Sequence, residues 1–175
     1  MPPQNDKPKI SWQEIRLKIE SAVDKYERHR IIRELTEIQA PEVCGILLDS
    51  LHDPSEDIRD LAIKSLGGRE DIDLECVCKK LAAFPWYVKS GSLRILGLRK
   101  DPRTIKNIAA VLEDSNADVR VQAAWALGEI GGEESLALLA RLIKDRNRFV
   151  RVSAEKALQK ASDLKFSEPN FSDST

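Results

Sequence analysis

Histidine is nearly missing from this 175-residue chain: there are only two, His29 and His52, and neither precedes a glutamate. Metal centres built on imidazole therefore lack their usual donors. The three cysteines, Cys44, Cys76 and Cys78, are an odd number in a chain that opens on the polar Met1-Pro2-Pro3-Gln4-Asn5-Asp6-Lys7 rather than on an apolar leader. Reduced thiols are the expectation. Cys76-x-Cys78 has no second pair to close a tetrahedral zinc site. No apolar run approaches the roughly 20 residues that span a bilayer, so no membrane partner and a cytosolic location are expected. Gly67-Gly68 and Gly131-Gly132 lack the lysine and hydroxyl residue of a phosphate-binding loop. No nucleophile elbow is present. Neither a metal nor a cofactor is expected. Net charge is -1, which gives no pull toward nucleic acid. Strand-like alternation is also absent.

What is present is a repeat. Ile58-Arg59-Asp60-Leu61-Ala62, Val88-Lys89-Ser90-Gly91-Ser92, Val119-Arg120-Val121-Gln122-Ala123 and Val150-Arg151-Val152-Ser153-Ala154 follow one another at a nearly constant spacing. Leu66-Gly67, Leu96-Gly97, Leu127-Gly128 and Leu158-Gln159 keep the same period, as do Leu51, Leu81, Leu112 and Ile143. Cys44 aligns with the apolar Ile105 and Leu136, and Cys78 with Ala109 and Ala140, so these thiols read as core positions. One more step back reaches Leu35, which makes the segment from Ile10 to Gln39 a divergent first unit. Within each unit apolar residues recur every three or four positions, as in Ile105, Ile108, Ala109 and Leu112, which is a helical period. Glycines after the second helix suit a left-handed C-terminus. A single pair of helices cannot bury its apolar face, so neighbours must stack. The reading is an all-α, right-handed alpha-alpha superhelix of about five helical pairs. Its units are 10–39, 40–69, 70–100, 101–131 and 132–161, between disordered segments 1–9 and 162–175.

The stretch Asp114-Ser115-Asn116-Ala117-Asp118-Val119-Arg120-Val121-Gln122-Ala123-Ala124-Trp125-Ala126-Leu127-Gly128-Glu129-Ile130-Gly131 resembles a HEAT repeat of the phycobilisome-lyase type, and the resemblance covers residues 10 to 161. It implies a ladder in which an aspartate before the second helix and an arginine within it bridge neighbouring units. By position these are Asp53, Asp114 and Asp145 with Arg59, Arg120 and Arg151. The middle unit departs, with Ala83 and Lys89 at those places, and a break in the ladder is expected there. Thr36 and Gln159 replace the glycine in the end units, as terminal repeats require more polar outer faces. The resemblance also brings bilin lyases and DNA-binding HEAT-like glycosylases into view as alternatives. It brings in di-iron HEAT-repeat hydroxylases too, whose His-Glu pairs this chain lacks.

On a helical wheel of about 100° per residue, Val119, Ala123, Ala126, Leu127 and Ile130 share one face. Asp118, Gln122 and Trp125 fall on the other. Tyr87 and Arg94 occupy equivalent places in the unit before; Phe149, Ser153 and Lys156, beside Arg148, do so in the unit after. In HEAT-like solenoids this side lines the concave surface. Exposed aromatics near arginine are common ingredients of a binding hot spot, so these eight residues are the candidate partner-binding set. Two other uses of the rings stay open: packing against adjacent helices, or cover by a tail carrying Phe166 and Phe171. Residues 1–85 hold 13 Lys and Arg against 17 Asp and Glu, and residues 86–165 hold 15 against 10. The strip thus lies in the basic half, which suits a protein or an acidic or phosphorylated peptide. The functional expectation is a non-catalytic scaffold or adaptor, not an enzyme.

Overall fold

The computed structural model describes residues 11–166; the expected disorder of residues 1–9 lies outside them. Among the described residues there are ten α-helices and no strand. They are α1 (Trp12–Ser21), α2 (Lys25–Thr36), α3 (Pro41–Asp49), α4 (Glu56–Gly68), α5 (Leu74–Lys79), α6 (Trp86–Arg99), α7 (Ile105–Ala109), α8 (Ala117–Ile130), α9 (Gly132–Leu142) and α10 (Arg148–Phe166). They alternate as first and second helices of five pairs. None is long and apolar enough to cross a membrane.

Local chemistry starts these helices where the sequence places them. Asp24, Asp73 and Asn116 each accept a hydrogen bond from the backbone N–H two residues on, at 3.0, 2.9 and 2.7 Å, and so cap α2, α5 and α8. Pro41 opens α3, where its missing N–H costs nothing. The second helices stack on one another along the array, whereas the first helices touch their counterparts far less. The inner layer is therefore the tighter one, and the exposed faces of the second helices form the concave side. One continuous core runs from Ile32 to Ala161. α1 buries no residue of its own.

Two details differ from the sequence reading. Gly67, Gly97 and Gly128 lie inside helices rather than at left-handed ends. Their role is close approach. A Cβ at Gly97 would stand 2.5 Å from a ring carbon of Trp125, and one at Gly128 would stand 2.7 and 2.9 Å from Cβ and Cα of Ala157. Positive φ falls on Lys100, Gly131 and Gly132, and of these Gly131 directly follows α8, as the sequence reading has it. Residues 162–166, expected in a disordered tail, are instead the end of α10; residues 167–175, with Phe171, lie outside the described residues.

The ladder occupies the joints between first and second helices. Asp53, Asp114 and Asp145 each accept a bond from the N–H two residues on, at 2.8, 2.9 and 2.7 Å, which folds the joint into an Asx turn. Each then receives a cation from the preceding unit. Arg28 reaches Asp53 at 2.7 and 3.2 Å, Lys89 reaches Asp114 at 2.7 Å, and Arg120 reaches Asp145 at 2.8 and 3.0 Å. The arginines also tie down their own joints: Arg59 donates to the carbonyls of Asp53 and Pro54, Arg120 to that of Asp114, and Arg151 to those of Asp145 and Arg146. The break expected at the middle unit is one-sided. Lys89 still makes its rung, while Arg59, with Ala83 in place of a carboxylate, lies over the Tyr87 ring at 4.6 Å. Arg28 escapes the sequence reading although it stands one repeat period before Arg59.

A second clamp sits at the opposite joints. Buried Arg69 pairs with Asp71 at 2.8 Å and donates to the carbonyls of Ile38 and Ala40. It ties the exit of α4 to the preceding joint, and no repeat signal points to it.

Gly128→Ala is expected to lower unfolding stability by about 1–3 kcal/mol, because backbone rather than a flexible side chain blocks the new methyl. Gly68→Ala, with nothing within 4 Å, is expected to raise it by about 0.5 kcal/mol; urea titration of both variants checks the pair. Hydrogen bonds from Arg120 hold the Asp145 carboxyl below the usual aspartate range. A depressed folded value means that the contribution is present above the unfolded value, about 3.9, and is lost as pH falls through the folded one. Asp145→Asn should cost about 3 kcal/mol at neutral pH by leaving buried Arg120 without its counter-charge. It should also flatten the acid limb of a stability profile measured from pH 7 down.

Candidate functional site

All eight strip residues come to the second-helix layer, but they are not equally free. Tyr87 is half-buried between Arg59 and the edge of Trp86, whose ring centroid is 6.1 Å away. Half-buried Trp125 fills the space left by Gly97. Arg94 pairs with Asp60 at 2.5 Å. Ser153 donates to the Val121 carbonyl at 3.2 Å, and Gln122 is half-buried beside them. The expected line of three solvent-facing rings is thus corrected. Ala83 frees the Arg59 guanidinium to stack on Tyr87, and Gly97 opens a seat for Trp125. Phe149 alone of the three stands in solvent, at 75% exposure. Arg148 and Lys156 are exposed beside it.

The sequence reading misses Tyr26, which is 72% exposed. It stands one repeat period before Asp57, so the register carries the signal. Between α2 and α4, Tyr26, His29, Asp57, Asp60, Leu61 and Lys64 line much of a cavity of about 420 Å³, a size that accepts a small ligand or a side chain. Lys25 lies over the Tyr26 ring at 5.2 Å. Asp57 is exposed and makes no ion pair among the described residues, which leaves it able to meet a cation. The cleft is mixed in charge but open on its acidic side.

The thiols offer little chemistry. Burial pushes Cys44 and Cys78 up, and a hydrogen bond to Asp73 pushes Cys76 up. All three therefore stay protonated at neutral pH, which suits neither a nucleophile nor a metal ligand. Among the described residues no three His, Cys, Asp or Glu side chains gather as a metal site. His29 lies on α2 and His52 in the turn after α3. These residues do not fit the paired His-Glu donors of a di-iron centre.

Comparison with known proteins places this geometry among others. Residues 74–159 match the model of HEAT repeats. A deoxyhypusine hydroxylase of Cryptococcus neoformans var. neoformans is 35% identical over 102 residues, covering 56% of this chain and 28% of the relative. A deoxyhypusine hydroxylase of Danio rerio is 42% identical over 66 residues, covering 37% and 22%. The chain thus spans about a quarter of the length of the curated relatives it matches. In fold it is similar to human deoxyhypusine hydroxylase in complex with glycerol, with a TM-score of 0.56 and 21% identity over 87% of this chain and 62% of the other. These findings overturn the expectation of a non-catalytic scaffold that is not an enzyme. The named relatives are enzymes of one kind, and neither bilin lyases nor DNA-binding proteins. In the sequence the missing His-Glu pairs outweigh likeness elsewhere in the repeats, and that weighting is what the relatives reverse.

Burial separates the strip aromatics. Trp125→Ala is expected to cost about 2–3 kcal/mol, since a half-buried indole leaves a cleft against Gly97. Phe149→Ala should stay within about 0.5 kcal/mol. Equal melting temperatures for the two variants would show that Trp125 does not pack as described.

Proposed function

We propose that this chain, whose residues 74–159 are HEAT repeats, works in the enzyme class of its curated relatives and holds the amine of a deoxyhypusine side chain. Identity of 35% over 102 residues with a deoxyhypusine hydroxylase carries the reading. The concave cleft between α2 and α4 supplies a physical means. Deoxyhypusine is an amine-bearing side chain, cationic at neutral pH. A cation of that kind is held by carboxylates and by the face of an aromatic ring. Asp57 and Tyr26 stand open to solvent at the cleft, with Asp60 behind them.

The donors for an iron centre do not fit among the described residues, so no oxygen-transfer step is assigned to them. What this chain's own residues do is bind and orient the amine. Leu61 gives the alkyl part of the side chain an apolar wall. The setting of this work is the cytoplasm, where thiols such as the unpaired Cys44, Cys76 and Cys78 stay reduced.

The test is calorimetry with two peptides, one carrying deoxyhypusine and the other an unmodified lysine at the same place. The deoxyhypusine peptide is expected to bind about fivefold tighter or better, an increment of about 1 kcal/mol. Tyr26→Ala combined with Asp57→Asn should erase that preference while the helical circular dichroism spectrum stays unchanged. Equal affinity of the native chain for both peptides would overturn the reading.

A further inference from the structure

Five residues share one register position on the concave side. Tyr26, Asp57, Tyr87, Asp118 and Phe149 are each the second residue of their helix, and each stands one repeat beyond the last. Aromatic and acidic side chains alternate along this row. Two helical turns further on, about 10 Å along each axis, runs a second row: Arg33, Lys64, Arg94, Trp125 and Lys156. Between them the floor is made of small or uncharged residues over α4 to α10, namely Leu61, Gly91, Gln122 and Ser153. The concave face is therefore a groove with an acidic-aromatic edge and a basic edge.

Several of these charges are unspent. Asp57, Asp118, Arg33, Lys64 and Lys156 are all exposed and make no ion pair among the described residues; only Arg94 of the basic row is taken, by Asp60. A polypeptide of one sign meets a like-charged edge whichever way it lies. An extended chain directs successive side chains to opposite sides. A segment whose basic and acidic residues alternate meets both edges with opposite charge.

We propose that this groove takes an extended substrate segment of alternating charge. Its Lys or Arg side chains face Asp57, Asp118 and the rings, and its Asp or Glu side chains face Arg33, Lys64 and Lys156. Stacked helices stand roughly 8–10 Å apart. Five of them therefore span roughly 32–40 Å, the length of about ten to twelve extended residues at about 3.3 Å each. The inference goes beyond the amine cleft. It names the chain around the modified residue, and it adds contacts on α8 and α10, which the cleft does not touch.

The experiment uses three labelled twelve-residue peptides, one alternating lysine and glutamate, one all lysine and one all glutamate, read by fluorescence anisotropy at low and at physiological salt. The alternating peptide is expected to bind about tenfold tighter than either other, with an affinity that falls as salt screens the contacts. Asp118→Lys and, separately, Lys156→Glu should each weaken it about fivefold or more. Both positions are exposed, and circular dichroism confirms the fold of each variant. Binding of a single-sign peptide as tight as the alternating one overturns the proposal, and so does an unchanged affinity in both variants. Loss of the deoxyhypusine preference with the alternating peptide still bound through α8 and α10 sinks the amine reading alone. The reverse pattern sinks this one alone.

Discussion

The rung between an aspartate in one joint and a cation from the preceding second helix sets the geometry on which everything else stands. Each aspartate does two jobs at once. Asp145 closes its own turn through the N–H of Asn147 and takes the guanidinium of Arg120 from the unit before. Arg120 in turn holds the carbonyl of Asp114. A joint so bound cannot shift along its neighbour without breaking several charge-assisted bonds. That is how α4, α8 and α10 are each set in register on the second helix before them. Apolar burial supplies most of the stability of such a stack, but burial has no direction. The rungs give it register.

The middle unit shows what happens when one rung is lost. Ala83 offers no carboxylate, so Arg59 keeps its bonds to its own joint and lays its plane over Tyr87. The ring that the wheel places in solvent is thereby drawn into the structure. Trp125 is held in a related way, by the space at Gly97. Both departures convert a residue that looks like a ligand contact into one that joins two repeats. They leave Tyr26 and Phe149, near the two ends, as the rings of this register position that face water most fully, at 72% and 75% exposure.

How much of this is legible in the sequence follows from what the repeat controls. Its regular period locates the helical pairs, the apolar face and the aspartates, because those positions recur for the same reason in every unit. Arg28 and Tyr26 are equally legible by register, yet the first unit is too divergent to draw attention to them. Gly128 misleads because a glycine near a helix end has two explanations, a left-handed cap or a close crossing, and only the position of Ala157 decides between them. Arg69 is beyond reach, since apart from Asp71 its partners are the backbone carbonyls of Ile38 and Ala40, which carry no signal in the sequence. Residues 162–166 read as tail because the repeat stops at Ala161, and loss of the repeat is not loss of the helix.

Function is the least legible, for a reason the rows themselves display. Core and rung positions are alike from unit to unit, so any two proteins built this way share them whatever they do. The residues free to differ are those on the concave side, and in this chain they differ by turns: tyrosine, aspartate, tyrosine, aspartate, phenylalanine. A metal motif is conspicuous where it occurs, and its absence from the sequence weighs heavily toward a scaffold. Yet donors for a metal and a surface for a substrate are separate requirements, and the lack of one says nothing of the other. Likeness to hydroxylases stands here beside described residues in which no three His, Cys, Asp or Glu side chains gather as a metal site. Three rungs and the apolar packing between them set the register of the second helices, and that register lays out the surface.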